Sequence, residues 1–494
     1  MKVQIHPKRQ LFKRDKMIYG HFLEHFHRQT YGGVYDPGNP LSDEDGLRRD
    51  VIEAMRGIEV PVLRWPGGCF VSSYHWKDAV GRERKPLFDK AWRVEEPNTF
   101  GTDEYVAMCR KIGCEPYICT NAGTGTAEEM SDWAEYCNLE NEGQYAKWRI
   151  ENGHREPYKV KYWSIGNENY GDWEIGAKDA QEWGLLVRES AKMLLHVDPT
   201  IELSAAALAD VDWNTNILKN AGRWLKWISI HKYWDRNHEV NTEADYRQCM
   251  AFTGELDEGI RQVRGILCAM GLEKKVRIAF DEWNLRGWYH PGCRYGYGVT
   301  KEDYLYPRDD NDDNTKYTMA DTVFTACFLN TCNRNGDIVG MANYAPVVNA
   351  RGCIYTHKDG IVLRGTYYVF QMYVKLMGDT IVDLWDEDPE IITFPHLKGG
   401  ERQVPVLDVL ATLRQDGAVV VSAMNKDPER ERGLQLLVPG VSKYRIHTLN
   451  GESTESYNDI GVNGIVPKTG QWLACHGTAN LQLEPHSVNI IEFL

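Results

Sequence analysis

Residues 160–171 read VKYWSIGNENYG, and this stretch decides how the rest of the chain is interpreted. Its first seven residues form an apolar, β-prone run, which is typical of a buried strand. Glu168 follows that run directly, between Asn167 and Asn169. A turn explains the asparagines and glycines, but it gives no reason for a carboxylate where a buried strand ends. Glu168 is therefore a candidate functional residue that requires a partner elsewhere in the chain.

Seven further segments have the same apolar character, and helical patterns separate most of them. Residues 44–58 and 179–197, for example, place their apolar side chains on one helical face. Parallel strands that are covered on both faces read as near-continuous apolar runs, and eight of them close a barrel. We therefore predict a (β/α)8 TIM barrel over residues 17–377. The predicted strands span 17–25, 62–68, 116–123, 160–168, 201–209, 227–234, 276–284 and 337–345.

The pattern changes after Gly378. Apolar stretches are now joined by Gly, Asp and Asn turns, and no helical period is visible. We predict that residues 378–494 form a C-terminal antiparallel β-sandwich domain. The N-terminal segment, residues 1–16, begins with KVQIHP and is predicted to add a strand to that sandwich.

Composition narrows the class of protein. A formal net charge of -14 over 494 residues argues against nucleic acid or an anionic membrane as a partner. The N-terminus has no apolar signal region, and no stretch approaches 18 apolar residues. The 12 cysteines include no CxxC pair, which favours free thiols in a reducing cytoplasm. The expected location is therefore cytoplasmic.

Polar side chains occur where most of the predicted strands end. In a barrel of this kind, functional residues gather at the carboxyl ends of the strands. These side chains are Glu24, Arg64, Cys69, Asn121, Asn167, Glu168, His231, Tyr233, Glu282, Asn284, Asn343 and Asn349.

Glu282, in the sequence IAFDEWN at the end of the seventh predicted strand, is the expected partner of Glu168. Retaining glycoside hydrolysis requires two carboxyl groups about 5 Å apart, one as acid and one as nucleophile. His231 and Tyr233 alternate on one strand, so they point the same way and could orient the nucleophile. Either glutamate alone could be a helix cap or a surface carboxylate. Together, at two strand ends, they favour catalysis.

Six ordered motifs resemble those of the α-L-arabinofuranosidases of glycoside hydrolase family 51, a family of barrel glycosidases. The resemblance extends over about residues 15–375. The motifs are GHFLEHFHRQTYGGVYD, LRWPGGCF, NTFGTDEY, YWSIGNEN, SIHKYW and FDEWN.

The resemblance implies Glu168 as the acid/base and Glu282 as the nucleophile. It also implies an arabinose-binding subsite lined by Glu24, Cys69, Asn167 and Tyr233, and we add Arg64, His231 and Trp288 as candidate substrate-binding residues. Two positions limit the match. Cys69 offers only a weak side-chain hydrogen bond, and Pro346 replaces a Gln that several relatives carry. No metal or cofactor is expected, and family relatives are often hexamers, so a homo-oligomer is expected.

The segment 286–315 is long, aromatic and acidic, and it follows the seventh strand. Long loops at a barrel mouth are usually functional. We predict that it encloses one terminal sugar, with Trp288, Tyr289 or Tyr295 on the leaving-group side. The enzyme is then exo-acting and releases terminal L-arabinofuranose from arabino- and arabinoxylo-oligosaccharides.

Three alternatives stay open at this point. His21, His25 and His27, with Glu24, could bind a metal, although no HExxH helix is present. A non-catalytic sugar-binding protein would need the aromatic residues but not both glutamates. A retaining β-xylosidase or endoglucanase could carry the same two glutamates on the same barrel.

Overall fold

A closed barrel of eight parallel strands dominates the computed structural model, which describes residues 1–234, 243–287 and 310–494. We number these strands β1–β8 in chain order. The barrel closes where Asn343 and Tyr344 of β8 pair with Gly20 and His21 of β1. Every strand overlaps one of the predicted segments, so the predicted barrel is confirmed. The strands are β1 Gly20–Phe22, β2 Val62–Trp65, β3 Glu115–Thr120, β4 Tyr162–Ile165, β5 Glu202–Ala207, β6 Trp227–Tyr233, β7 Arg277–Asn284 and β8 Val339–Tyr344.

Helices occupy the connections between the barrel strands, and several begin at side-chain caps that the sequence supplies. Asp179 caps the longest described helix by accepting from the backbone N–H groups of Gln181 and Glu182. The α-helices are Arg49–Gly57, Thr102–Ile112, Ala127–Asn138, Gly143–Glu151, Ala180–Val197, Val211–Ala221, Tyr246–Ala251, Glu258–Ala269, Met319–Arg334 and Gly365–Leu376. Among the described residues, no helix has both the length and the apolar character needed to cross a membrane.

An apolar cluster fills the barrel interior near the amino ends of the strands. Three members are the first residues of β2, β4 and β6, three are the third residues of β3, β7 and β8, and one precedes β1, as expected for a layered barrel core. The cluster comprises Met17, Val62, Tyr117, Tyr162, Trp227, Ala279 and Met341. Because apolar side chains fill this end of the barrel, the polar side chains of the interior lie towards the carboxyl ends of the strands.

The C-terminal part is a mostly antiparallel sheet of ten strands, in agreement with the predicted β-rich domain. The N-terminal strand Lys2–Lys13 belongs to this sheet. It pairs antiparallel with Thr380–Glu387 and parallel with Arg432–Leu437. One core cluster contains Val3, Val421 and Leu434, so side chains from separate parts of the sheet pack on each other. The remaining strands are Leu407–Leu413, Val419–Asn425, Lys443–Asn450, Val466–Thr469, Leu473–Ala474, Thr478–Leu483 and Ser487–Phe493.

Short elements complete the described structure. Two-stranded hairpins pair Leu87–Asp89 with Val94–Glu96, Ile354–His357 with Gly360–Leu363, Ile391–Pro395 with Glu401–Pro405, and Asn458–Asp459 with Val462–Asn463. The 3-10 helices are Lys16–Tyr19, Cys69–Ser73, Trp76–Ala79, Phe252–Gly254, Asp310–Asp312 and Asn314–Lys316.

Candidate active site

The chain turns sharply after β4, and this turn brings Glu168 to the barrel mouth. Gly166 has a φ of 70°, and a Cβ there would lie only 2.4 Å from the Trp183 ring. Glu168 itself has a φ of 45°, a conformation that non-glycine residues rarely adopt. Holding a glutamate in that conformation costs about 1 kcal/mol or more. Strain of this kind is typical of functional sites.

Glu168 is held by three side chains. His231 Nδ1 lies 2.9 Å from its Oε1, and Trp173 Nε1 donates to its Oε2 at 3.0 Å. The Tyr170 hydroxyl donates to Oε1 at 3.4 Å. The glutamate side chain is 14% exposed, whereas Trp173 is 60% exposed. Glu168 therefore lies between the buried interior and an open aromatic face.

Glu282 lies deeper and is held more tightly. Arg64 Nη1 donates to Oε2 at 3.0 Å, and the Tyr233 hydroxyl donates to Oε1 at 2.7 Å. His231 Nδ1 is 3.5 Å from Oε2. Each carboxylate oxygen of Glu282 thus accepts a hydrogen bond from a side chain on β2 or β6, and these bonds fix the orientation of the carboxylate.

The two glutamates face each other across the mouth. One carboxylate oxygen of Glu168, one of Glu282 and a ring nitrogen of His231 all lie within 4.8 Å of one another. A short separation suits a retaining pair, since inverting enzymes need room for a water between the carboxyl groups. The arrangement can therefore support attack by one carboxylate while the other transfers a proton.

His231 is surrounded by carboxylates. Its Nε2 lies 3.3 Å from Asp281 Oδ1, and its Nδ1 faces Glu168 and Glu282. Burial alone would lower the pKa of His231, but these negative charges outweigh it and raise the pKa to about 10. The imidazole is therefore a cation at neutral pH.

The pKa values of the two glutamates are shifted in opposite directions. Burial raises the pKa of Glu282, the charge of Glu168 adds to that shift, and His231 and Arg64 oppose it. Burial also disfavours the charged form of Glu168, but the hydrogen bond and charge of His231 outweigh burial and lower the pKa of Glu168. His231 therefore stabilises the ionised form of Glu168.

Glu24 and Cys69 lie beside the pair. Glu24 is buried and accepts from the Trp92 indole at 2.9 Å and from the Phe70 amide at 3.2 Å. Burial and the charge of Glu282 raise the pKa of Glu24 well above its usual range. Burial and neighbouring carboxylates likewise raise the pKa of Cys69, so its sulfur is a thiol.

Arg64 and Asn167 form the floor of the site. Arg64 is fully buried, and its Nη2 donates to Asn167 Oδ1 at 2.8 Å. The amide of Asn167 in turn donates to Glu174 Oε2 at 3.3 Å. Arg64 thus orients both Glu282 and Asn167 through hydrogen bonds.

The remaining strand-end asparagines bind the backbone. Each of these side-chain amides donates to at least one main-chain carbonyl, so each stabilises a local turn or strand connection. They are Asn121, Asn284, Asn343 and Asn349.

The three histidines of the metal hypothesis do not converge. His21 contacts the carbonyl of Tyr19, His25 contacts Glu96, and His27 contacts Asp312. Within the described ranges, neither group of side chains close enough to share an ion contains any of the three. The geometry gives the metal hypothesis no support.

The predicted contact through Trp288 lies outside the described residues, as do Tyr289 and Tyr295. The aromatic face that is described beside Glu168 belongs to Trp173, which follows it by five residues. Sequence reasoning missed Trp173 because it assigned the segment after Glu168 to an ordinary turn.

Sequence reasoning also missed Asp281 and Glu174. Strand alternation would turn Asp281 away from the side of Glu282. A β-bulge prevents this. Ala279 pairs with Ser229 and Glu282 pairs with His231, so β7 advances three residues where β6 advances two. Asp281 consequently accepts from Ser229 and Tyr117 inside the barrel.

Comparisons with known proteins point to one family. The family described as Alpha-L-arabinofuranosidase 1 domain matches residues 54–250. The family described as Alpha-L-arabinofuranosidase C-terminal domain matches residues 281–487. The second match begins within β7, so it spans the last barrel strands as well as the sheet domain.

Similar proteins cover nearly the whole chain. A probable α-L-arabinofuranosidase C of Aspergillus niger is 34% identical over 493 residues, covering 96% of this chain and 94% of the relative. An intracellular exo-α-(1→5)-L-arabinofuranosidase of Acetivibrio thermocellus is 31% identical over 471 residues, covering 92% and 91%. The crystal structure of an α-L-arabinofuranosidase–arabinose complex from Thermotoga maritima is 34% identical, covers 100% of both chains and has a TM-score of 0.87.

Proposed function

Since this chain belongs to the α-L-arabinofuranosidases of glycoside hydrolase family 51, we propose that Glu168 and Glu282 perform a retaining, exo-acting hydrolysis of terminal L-arabinofuranosides. Glu168 is the acid/base and Glu282 is the nucleophile. The observation that supports this proposal is the opposed pair of glutamates with oxygens within 4.8 Å at one barrel mouth.

In the first step, a carboxylate oxygen of Glu282 attacks the anomeric carbon of the arabinose. The bond from that carbon to the glycosidic oxygen breaks, and Glu168 gives its proton to the departing oxygen. Arg64 and Tyr233 support this assignment, because their hydrogen bonds at 3.0 and 2.7 Å fix the direction of the Glu282 carboxylate.

In the second step, Glu168 acts as a base. It removes a proton from a water molecule, whose oxygen attacks the anomeric carbon and releases the ester-linked Glu282 as a carboxylate. Two inversions at the same carbon leave the sugar with its original anomeric configuration.

The carboxyl proton must lie on Glu168 when the glycosidic oxygen arrives. In the structure, the hydrogen bond and charge of His231 instead stabilise the ionised form of Glu168 and lower its pKa. We propose that His231, 2.9 Å from Glu168 and 3.5 Å from Glu282, shifts its hydrogen bond to the nucleophile when the sugar enters. That shift stabilises Glu282 as a carboxylate and leaves the proton to Glu168.

The sugar-binding subsite is proposed to include Glu24, Cys69, Asn167 and Tyr233. Glu24 and Asn167 each have their orientation fixed by hydrogen bonds to the protein. At Cys69, a thiol is a poor donor, so the backbone is the better candidate for a sugar contact. Arg64 is proposed to act indirectly, by orienting Glu282 and Asn167 through its hydrogen bonds.

The leaving group is proposed to lie against Trp173. Its indole is 60% exposed and donates to Glu168 at 3.0 Å, so the ring flanks the oxygen that Glu168 would protonate. An aromatic face of this kind packs well against a sugar ring. The predicted closure by residues 286–315 stays a prediction.

Substrate source, location and assembly are also proposals. We propose that the enzyme acts in the cytoplasm on short arabinan or arabinoxylan fragments, as a homo-oligomer with the hexamer of family relatives as the candidate assembly. The cysteines of the described residues are free thiols, and together with the intracellular Acetivibrio relative they support the location. Retaining β-xylosidase or endoglucanase activity is the competing substrate class.

Two measurements test the proposed function. Proton NMR during hydrolysis of an aryl α-L-arabinofuranoside should detect α-L-arabinofuranose first, before the anomers equilibrate, and initial release of the β anomer would overturn retention. A panel of nitrophenyl glycosides should give the highest kcat/KM with the arabinofuranoside. A higher value with β-D-xyloside or β-D-glucoside would favour the competing class. Product analysis on polymeric arabinan completes the test, since early internal fragments would contradict exo action.

A further inference from the structure

Trp173 holds the exposed side of the Glu168 carboxylate. Oε1 of Glu168 accepts from His231 Nδ1 at 2.9 Å and from the Tyr170 hydroxyl at 3.4 Å. Within the described residues, Oε2 accepts from the Trp173 indole alone, at 3.0 Å. Because Trp173 is 60% exposed, Oε2 lies on the side from which a leaving group arrives. The indole N–H therefore already occupies the oxygen that is best placed to exchange a proton with the substrate.

Gly171 provides the space for this indole. A Cβ at residue 171 would lie 2.4 Å from two carbons of the Trp173 ring, so the ring packs directly on the glycine. The Gly171 amide donates to the Glu168 carbonyl at 2.7 Å and closes the turn between them. Gly171 does not have a positive φ, so contact with the ring, and not backbone conformation, explains the glycine. The turn thus places the indole on the acid/base that precedes it.

The strength of the bond from Trp173 depends on the protonation state of Glu168. An N–H group binds an ionised carboxylate more strongly than a neutral carboxylic acid. Burial disfavours the charged form of Glu168, but the hydrogen bond and charge of His231 and the hydrogen bond from Trp173 favour it and lower the pKa of Glu168. The first step of the reaction needs a protonated Glu168, and the second needs an ionised one. The bond therefore opposes the first step and assists the second.

We propose that Trp173 is a positioning residue whose indole N–H orients Oε2 of Glu168 and favours its role as the base of the second step. This inference deepens the proposed function and rests on it. The arriving glycosidic oxygen displaces the N–H from Oε2, and the bond forms again after the leaving group departs. The exposed position of the ring permits this movement.

Trp173→Phe tests the inference, since it keeps an aromatic ring and removes the donor. The substrate is 2,4-dinitrophenyl α-L-arabinofuranoside, whose leaving group departs without protonation, and turnover after the initial burst of dinitrophenolate measures breakdown of the glycosyl-enzyme. Because Glu282 is esterified in that intermediate, the acid limb of kcat reports Glu168, which must be ionised to act as a base.

Loss of the hydrogen bond raises the pKa of Glu168, so the acid limb of Trp173→Phe should move to higher pH by about 0.5–1 unit. On the limb, kcat should fall by about 3- to 10-fold, whereas on the plateau it should stay within about threefold of the wild type. An unmoved limb would overturn the inference, and so would complete inactivity of the folded variant at every pH.

Gly171→Ala removes the same hydrogen bond in another way. The indole and its N–H are retained, but the added Cβ displaces the ring. Its acid limb should move in the same direction as that of Trp173→Phe, and movement in the opposite direction would contradict the inference. Trp385→Phe is the matched control, because Trp385 is 56% exposed and lies on the C-terminal sheet. Its pH profile should coincide with that of the wild type, and a shift equal to that of Trp173→Phe would overturn the inference.

The indole N–H resonance of Trp173 provides a readout that does not depend on activity. It is the tryptophan N–H signal that is missing from the spectrum of Trp173→Phe. A hydrogen bond to a carboxylate moves such a signal downfield, so the signal should move upfield in Glu168→Ala. A signal that stays in place would overturn the inference. Failure of the wild type to hydrolyse any arabinofuranoside would instead refute the proposed function, and this signal would still decide whether Trp173 holds Glu168.

Discussion

Both domains contain buried carboxylates, but the C-terminal sheet surrounds its buried carboxylate with more positive charge than the barrel mouth does. In the C-terminal sheet, Glu492 is 1% exposed and contacts Arg414, Arg445 and His447. At the barrel mouth, the cations Arg64 and His231 contact Glu168, Asp281 and Glu282. Two further buried carboxyl groups, Glu24 and Glu174, lie beside these glutamates.

The difference appears directly in the pKa values. Burial would raise the pKa of Glu492, but hydrogen bonds from His447, Arg445 and Arg414 lower it to about 2. At the barrel mouth, burial prevails and raises the pKa of both Glu24 and Glu174. A carboxylate with a structural role is neutralised by its partners, whereas a site that transfers protons must leave some of its carboxyl groups short of positive charge.

The severest test of this contrast is Glu282→Ala. No covalent glycosyl-enzyme can form without this carboxylate, so kcat on 4-nitrophenyl α-L-arabinofuranoside should fall by more than roughly 10⁴-fold. Added azide should enter the vacated position and yield the β-configured glycosyl azide. Substantial residual turnover without azide would remove Glu282 from the nucleophile role.

Glu168→Ala should have the next largest effect, and the effect should depend on the leaving group. Loss of the general acid should reduce kcat/KM on α-1,5-linked arabinobiose by about 10²–10⁴-fold. A nitrophenolate leaves with little protonation, so the first step on the aryl substrate should suffer much less. Equal losses on the two substrates, measured side by side, would contradict the acid role.

Tyr233→Phe should weaken the site without destroying it. Removing the 2.7 Å hydrogen bond to Glu282 costs about 1.5–3 kcal/mol, which corresponds to about a 10- to 100-fold loss of kcat/KM. This hydrogen bond favours the ionised nucleophile, so its loss should raise the pKa of Glu282 further. The acid limb of the pH profile should then move to higher pH, and an unmoved limb would argue that Tyr233 does not act on Glu282.

Glu492→Gln should leave activity unchanged and lower stability. Breaking the hydrogen bonds to Arg414, Arg445 and His447 should reduce the free energy of unfolding by about 1–3 kcal/mol, since both arginines remain partly hydrated. Chemical denaturation of the two proteins at several pH values measures the difference.

The pH dependence of that difference has a definite sign. The pKa of Glu492 is depressed from 4.5 to about 2 in the folded chain, so its contribution is complete above pH 4.5 and is lost as the pH falls towards 2. The gap between wild type and Glu492→Gln should therefore shrink over that interval. A gap that is constant with pH would mean that the charge of Glu492 adds nothing to stability.

The fold could be predicted because its signals are local. Each barrel strand carries its own apolar run, and VKYWSIG contains β4 just as IAFDEWN overlaps β7. Chain order then determines which strand ends meet, because sequential parallel strands with helical crossovers become neighbours. Glu168 and Glu282 could be paired on that basis.

The surroundings of the pair could not be predicted in the same way. Asp281 faces inward only because β7 bulges against β6, and a bulge leaves no reliable mark in a single sequence. The metal hypothesis arose because His21, His25 and His27 are close in sequence, whereas their side chains contact different partners on other elements.

Sequence alone therefore determined the barrel, the strand ends that carry carboxylates and the family that the motifs resemble. Only the tertiary structure decided that Arg64 lies beneath the site, that His231 stands between the two glutamates and that Glu174 adjoins Glu168. The physical reason is the distance along the chain between the residues that set each property. Periodicity and strand order are properties of neighbouring residues, whereas burial, charge balance and proton location depend on groups that come together only when distant segments pack.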